Sequence, residues 1–313
     1  MKKTWLFAFA VLTASLHALS AAETPAYVPG ISFAKEEGLR NICAIAISKG
    51  DSLLVAADGR VRFFDPESGQ CTRSFATGLK RADALATDGE VICLLQAQQE
   101  QKAVEINGRK MNQPIPVSVV CKRFTWDGQP MEDLNLKDAQ SASAADIVGD
   151  KLYVADRAAR MVRIYDLKTG TPAGTVGKNL RVCCGILGFT VDRTNGDLLV
   201  ANLGAFKLQR YAADSSLKSE FGKRGSADGD FHGCCNPVNV GVLSGGNLVL
   251  VEKDPSRVLI CRPNGQLVQV LSGLQELVEG CNRVSMAVDS KGRIYLGVNS
   301  KTHFVVQYVP KAG

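Results

Sequence analysis

Five cysteines in the C-terminal half of the chain are spaced in a way that chemistry can use. Cys183-Cys184 and Cys234-Cys235 are adjacent pairs, and Cys281 stands alone. Cys184, Cys235 and Cys281 each precede by eight residues a matching position at the end of a short apolar run: Asp192, Leu243 and Asp289. The flanks recur too, since Cys235-Asn236-Pro237 echoes Cys281-Asn282-Arg283. Three chemistries are open. Vicinal disulfides would make a rigid sulfur platform for a sugar or aromatic ligand. Thiolates would ligate a soft metal such as Cu(I) or Zn²⁺. A strained disulfide would take part in thiol exchange. A structural reading stands beside them, in which disulfides pin loops together. No spacing is CxxC, so the usual zinc-ribbon and thioredoxin patterns do not apply. His232, in Phe231-His-Gly-Cys-Cys235, is a base, a metal ligand or a polar loop residue. The ligand-binding set expected here is Cys183, Cys184, Cys234, Cys235, Cys281, Asn236 and His232.

A second set carries oxygen. Asp58, Gln96, Asp156, Asn202, Glu252 and Asn299 each end a β-rich run. If those runs share one axis, the oxygens ring the mouth of a channel. Such a ring suits a hard cation such as Ca²⁺ or another divalent ion, or a polyol. The metal set expected is Asp156, Asn202, Glu252 and Asn299.

Both sets need elements that repeat around an axis, and the chain supplies them. Gly188–Asp192 with Asn195–Asn202, Val240–Leu243 with Gly245–Glu252, and Met286–Asp289 with Lys291–Asn299 are copies of one pattern. In each, a short apolar strand, a Gly-containing turn and a second β-rich strand follow in order. Third strands come next, at Lys207–Tyr211, Arg257–Cys261 and Phe304–Tyr308. Earlier copies start at Ala44 and Asp146, and a diverged one runs from Leu85 to Gly128. Six four-stranded antiparallel meanders result. One meander cannot bury both of its faces; six arranged radially can. The fold expected is therefore all-β, a six-bladed β-propeller of four-stranded antiparallel blades. Tyr27–Phe33 would supply the missing outer strand of the last blade.

In the diverged copy, Asn107-Gly108 is a hairpin turn between Ala103–Ile106 and Arg109–Met111. It implies an arm over residues 97–115, serving as a lid, a partner contact or a plain elaboration. Cys93 and Cys121 would sit nearly opposite each other across it, where a cross-strand bridge is feasible.

Residues 1–22 have a basic start at Lys2 and Lys3, an apolar stretch from Trp5 to Leu12 and a small-x-small site at Ser20-Ala-Ala22. They read as a secretory signal peptide, leaving residues 23–313 as one domain. Periplasmic or secreted placement follows, where an even count of 10 cysteines favours disulfides. The formal charge of +6 drops by two with Lys2 and Lys3, and the basic residues are scattered, so nucleic acid is not an expected partner. No internal apolar run is long enough to span a membrane. A monomer with a small-molecule or protein ligand in the cell envelope is expected. Only His232 and His303 lie beyond the leader, which excludes a three-histidine zinc site in one chain. No Walker, Rossmann or Gly-x-Ser-x-Gly pattern is present.

The recurrent apolar-x-Val-Asp, Gly turn, Leu/Ile-Tyr/Leu-Val-Ala-Asp/Asn and Arg/Gln-x-Tyr resembles the NHL-repeat six-bladed propellers over nearly the whole mature chain. Similar propellers include gluconolactonase-type calcium-dependent lactonases, strictosidine-synthase-like proteins, amidating lyases and pure binding modules. With the cysteine cluster on one face of such a ring, a ligand- or partner-binding module acting through the cysteine-rich face is expected. The resemblance implies an alternative, a metal-dependent hydrolase or lactonase using Asp156, Asn202, Glu252 and Asn299. NHL-like blades also place Asp or Asn at those positions to hydrogen-bond the next loop. A shared fold does not decide among these chemistries.

Overall fold

The structure is a computed structural model and describes residues 26–34, 39–106, 109–278, 284–299 and 303–311. The expected signal peptide at residues 1–22, Asn107-Gly108 with its expected hairpin turn, and Cys281 lie outside the described residues.

Six four-stranded antiparallel sheets follow one another along the chain. Blade 1 is Ile42–Ile47, Leu53–Ala57, Arg60–Phe64 and Cys71–Ala76. Blade 2 is Ala84–Thr87, Val91–Ile106, Arg109–Thr125 and Leu134–Leu136. Blade 3 is Ala145–Val148, Lys151–Asp156, Met161–Asp166 and Pro172–Val176. Blade 4 is Gly188–Val191, Leu198–Asn202, Lys207–Tyr211 and Leu217–Phe221. Blade 5 is Asn239–Val242, Leu248–Lys253, Ser256–Cys261 and Leu267–Leu271. Blade 6 is Val284–Val288, Ile294–Asn299 and His303–Pro310, with Tyr27–Phe33 as its outer strand. The first strands of neighbouring blades pack on one another and form the inner wall of the ring.

Burial explains the strand sequences. Second strands are apolar on both faces because each lies between two neighbouring blades. Leu53–Ala57, Leu198–Asn202 and Leu248–Lys253 are buried at every position. Outer strands have one face in water, and Leu267–Leu271 and Cys71–Ala76 alternate accordingly. The tight turns take glycine where the backbone demands it. At Gly233, φ is +60° and a β-carbon would lie 1.8 Å from the Asp254 carbonyl oxygen.

Blade 2 departs from the pattern. Its second and third strands pair continuously from Val91↔Thr125 to Ile106↔Arg109, with a bulge at Gln98/Gln99. Only their lower part joins the blade, through Ile92–Leu95 on one side and Val119–Cys121 on the other. The rest is a two-stranded arm. The expected juxtaposition of Cys93 and Cys121 needs correction. Cys93 pairs with Arg123 and Leu95 with Cys121, so the bulged ladder sets the two cysteines diagonally rather than opposite. Both are fully buried thiols. The adjacent Cys93 thiol, followed by burial, pushes Cys121 well above the ordinary thiol range.

Buried charge in blade 4 gives a pH prediction. Arg210 Nη1 lies 3.0 Å from Asp192 Oδ2 and 3.1 Å from Asp197 Oδ2, and Lys218 Nζ lies 2.8 Å from Asp197 Oδ2. Burial alone would raise both carboxyls. For Asp192 it is outweighed by Thr194 and Arg210, and for Asp197 by Lys218 and Arg210, so both are lowered. The stability they contribute is therefore present above the unfolded carboxylate pKa of about 4 and is lost as pH falls through the lower folded values. Melting temperature should decline below about pH 4, and Asp197→Asn should flatten that decline. An unchanged acid slope in the variant would refute the assignment.

Candidate cysteine site

The loops that enter blades 4 and 5 carry the adjacent cysteines to the same end of the ring. Cys184 lies four residues before the strand at Gly188, and Cys235 four residues before the strand at Asn239. Both adopt the left-handed conformation, with φ of 53° and 57°. The repeat thus places equivalent residues in equivalent turns of neighbouring blades. Cys183 Sγ and Cys184 Sγ are 3.3 Å apart, and Cys234 Sγ and Cys235 Sγ are 3.4 Å apart. The sulfurs of Cys183, Cys234 and Cys235 all lie within 4.8 Å of one another. Among the described residues this is the group of three His, Cys, Asp or Glu side chains close enough to share an ion. Cys183, Cys184, Cys234 and Cys235 are unbridged thiols.

The thiols differ electrostatically. Burial, then the Cys183 and Cys234 sulfurs, pushes Cys235 up to about 12. The Cys235 contact favours ionisation of Cys183, but burial and the neighbouring Cys184 and Cys234 outweigh it, so Cys183 is raised. Cys184 goes the other way. The hydrogen bond from Lys253, followed by that from Cys183, holds it below the ordinary thiol value. Lys253 Nζ donates to Cys184 Sγ at 2.8 Å. Lys253 closes the second strand of blade 5 and is fully buried, at 0% exposure. Sequence reasoning missed it: in Glu252-Lys253-Asp254 it reads as a solvated turn residue, and no residue type signals its burial.

Asn236 and His232, expected near the ligand, brace the loop. Asn236 is fully buried. Its Nδ2 donates to the His232 carbonyl at 2.8 Å, and its Oδ1 accepts from the Lys253 amide at 3.0 Å. The His232 ring meets the Ala227 carbonyl at 2.9 Å through Nε2. These bonds tie the Cys234-Cys235 turn to the strand end that carries Lys253.

The oxygen-bearing strand ends are latches for the incoming loops. Asp58 Oδ2 accepts from the Arg40 amide at 3.2 Å, and Gln96 Nε2 donates to the Arg81 carbonyl at 2.9 Å. Asp156 accepts from Ser141 Oγ at 2.8 Å, from the Gln140 amide at 3.3 Å and from Arg163 Nε at 2.8 Å. Asn202 Oδ1 accepts from the Arg181 amide at 2.8 Å, and Asn299 Oδ1 accepts from the Ile42 amide at 2.8 Å. Glu252 Oε1 accepts from the His232 amide at 2.8 Å, while Oε2 is paired with Arg257 Nε. The four residues expected to hold a divalent cation therefore spend their oxygens on loop amides and guanidinium groups. Asp156 and Glu252 are both fully buried in this role.

Two cavities frame the site. A cleft of about 330 Å³ lies beside Cys183 and Cys184, walled by Arg157, Arg160 and Pro116 from the root of the blade 2 arm. The arm thus borders the cysteine face. A cavity of about 1270 Å³ opens at the other end of the ring, among the first-to-second-strand turns at Gly50, Asp88, Gly149, Arg193, Ser244 and Ser290. It is separated from the cysteines by the length of the inner strands.

Among the described residues no helix is long and apolar enough to cross a membrane. No family profile and no curated protein matches the sequence. Among solved structures, a streptogramin B lyase is similar, with a TM-score of 0.58 at 10% identity over 91% of this chain and 98% of that one. That likeness is one of fold, and with the six four-stranded sheets it supports the all-β six-bladed propeller.

Proposed function

We propose that this chain is an exported binding propeller whose ligand face is the cysteine end of the ring, and that it takes a soft, thiophilic metal ion there. The observation that carries the reading is the approach of the Cys183, Cys234 and Cys235 sulfurs to within 4.8 Å of one another from two separate loops. Metal–thiolate bonds are about 2.3 Å long, which places sulfurs around one ion within such a spread. Three sulfurs, with no carboxylate in the group among the described residues, favour Cu(I), for which thiolate is a preferred ligand, over hard cations. At Cys183 the Cys235 contact favours ionisation but is outweighed by burial and by Cys184 and Cys234, and at Cys235 burial and the Cys183 and Cys234 sulfurs favour the proton, so binding must release protons. The leader at residues 1–22 supports export.

The test is an anaerobic titration of reduced protein with Cu(I), followed by native mass spectrometry and proton release. One equivalent should bind with release of protons, and Cys183→Ser, Cys234→Ser and Cys235→Ser should each abolish stoichiometric binding. Cys43→Ser, outside the cluster, should bind as wild type. Retention of the ion by a triple serine variant would overturn the reading.

A further inference from the structure

The metal reading uses three sulfurs and leaves the fourth aside. Cys184 is exposed, and its sulfur accepts a hydrogen bond from an ammonium group whose residue is entirely buried. Lys253 is held firmly in that position. Its amide donates to Asn236 Oδ1 at 3.0 Å, and its carbonyl accepts from Ser256 Oγ at 2.9 Å. A lysine is rarely buried completely unless its head group is paired. Here the stem is enclosed and the head is presented to a sulfur that solvent reaches. A second thiol, Cys183, stands 3.3 Å from the first.

The surroundings define what could approach. The cleft of about 330 Å³ at Cys183 and Cys184 is large enough for a small molecule. Its charged wall is cationic, from Arg157 and Arg160. The Arg157 guanidinium lies against the cysteine turn, since a β-carbon on Gly185 would come 3.0 Å from its Nη1. Arg160 is engaged with the Leu180 and Asn179 carbonyls. Arg157 is exposed and is the cation available to an entering ligand.

We propose that Cys184 is the attacking nucleophile in thiol–disulfide exchange with a small, carboxylate-bearing disulfide, with Cys183 as the resolving thiol and Lys253 as the positioning residue. The Cys184 thiolate attacks one sulfur of the incoming disulfide. A mixed disulfide forms, the external S–S bond breaks, and the first half leaves as a thiolate. That thiolate takes the Cys183 proton. The Cys183 thiolate then attacks Cys184 Sγ, forms the Cys183–Cys184 bond and expels the second half as a thiolate. The protein dithiol is oxidised by two electrons, and the external disulfide is reduced to two thiols. Lys253 Nζ, 2.8 Å from Cys184 Sγ, sets a positive charge against the attacking sulfur, and the Cys183 sulfur at 3.3 Å is within reach to resolve the mixed disulfide.

The experiment uses the full chain, reduced and metal-free, mixed with oxidised glutathione or with the cationic disulfide cystamine. Released thiols are counted, and adducts are located by mass spectrometry. Wild type should release two thiols per protein, and glutathione disulfide should react about tenfold faster than cystamine, a preference that salt weakens. Cys183→Ser should stop at one released thiol and keep half of the disulfide on Cys184. Cys184→Ser should slow release about tenfold or more, and Arg157→Ala should remove the preference for the acidic disulfide. Lys253→Met should slow thiol release about tenfold and Lys253→Arg should restore much of it, a rescue by retained charge that altered packing alone would not produce. Wild-type release from Cys184→Ser, or an adduct on another cysteine, would overturn the proposal. Equal rates for the two disulfides would overturn the acidic substrate class. Metal binding is read separately, because Cys184→Ser keeps all three sulfurs of the metal cluster.

Discussion

Replacing Glu252 by Gln should destabilise the protein by about 3–5 kcal/mol, the usual cost of removing one member of a buried ion pair. Glu252 is fully buried and Arg257 is 7% exposed. One carboxylate oxygen is paired with Arg257 Nε; the other receives the His232 amide. Gln can keep the amide contact but not the charge, so a guanidinium would remain in low dielectric with, among the described residues, the Asp230 carbonyl 2.9 Å from Nη2 for compensation. Urea unfolding at fixed ionic strength should show a lower midpoint with an unchanged slope. The paired replacement Glu252→Met with Arg257→Met should recover much of the loss, because it removes both charges together. A cost under about 1 kcal/mol would mean that the carboxylate is not committed to Arg257, and would return it to the pool of ligand groups.

This distinction is where the sequence reading of the site ran out. The positions of Asp156, Asn202, Glu252 and Asn299 follow from the repeat, and the structure puts Asp156, Asn202 and Asn299 last and Glu252 next to last in a second strand. Residue type alone cannot tell an oxygen that faces a channel from one that caps a loop amide. The deciding partners, such as the Arg181 amide for Asn202 and Ile42 for Asn299, lie outside the local motif, and for Asn299 they lie 257 residues away. Asn299 differs from the others in reaching across the first and last blades, so the same side-chain device that seats a loop elsewhere also closes the ring here.

The cysteines were more legible, because their signal is periodic. Equal offsets from the inner strands put Cys184 and Cys235 in equivalent turns, and the structure brings Cys183 and Cys235 together from adjacent blades. Their unequal character was not legible. It depends on Lys253, whose burial results from the loop brace at Asn236 rather than from any pattern around residue 253. The diagonal offset of Cys93 and Cys121 comes from a bulge at which Val117, beside Pro116, is skipped between the Gln98↔Ser118 and Gln99↔Pro116 pairs, and Pro116 is the local signal for it.

Phe33→Ala should be the other severe substitution, costing about 3–5 kcal/mol. Phe33 is the last residue of the outer strand of blade 6 and is entirely buried. Its ring meets Phe64 of blade 1 edge-on at 6.1 Å and Tyr295 of blade 6 at 5.7 Å. One aromatic side chain from the N-terminal strand is thus packed between the first and last blades. The strand's backbone adds a ladder from Tyr27↔Pro310 to Phe33↔Val305, and Gln269 of blade 5 brackets its start through the Tyr27 amide and carbonyl. These non-covalent contacts join the two ends of the chain. Truncation to alanine leaves a cavity against Leu53, Val55 and Val305, residues with 0% exposure that cannot move into it without disturbing two sheets. Val28→Ala on the same strand, at a position 37% exposed, should change stability by no more than about 0.5 kcal/mol. Urea midpoints of the two variants therefore separate the joint from the strand. If Phe33→Ala proved as mild as Val28→Ala, the outer strand would be a loosely held edge, and closure would rest on Asn299 and the packing of the inner strands instead.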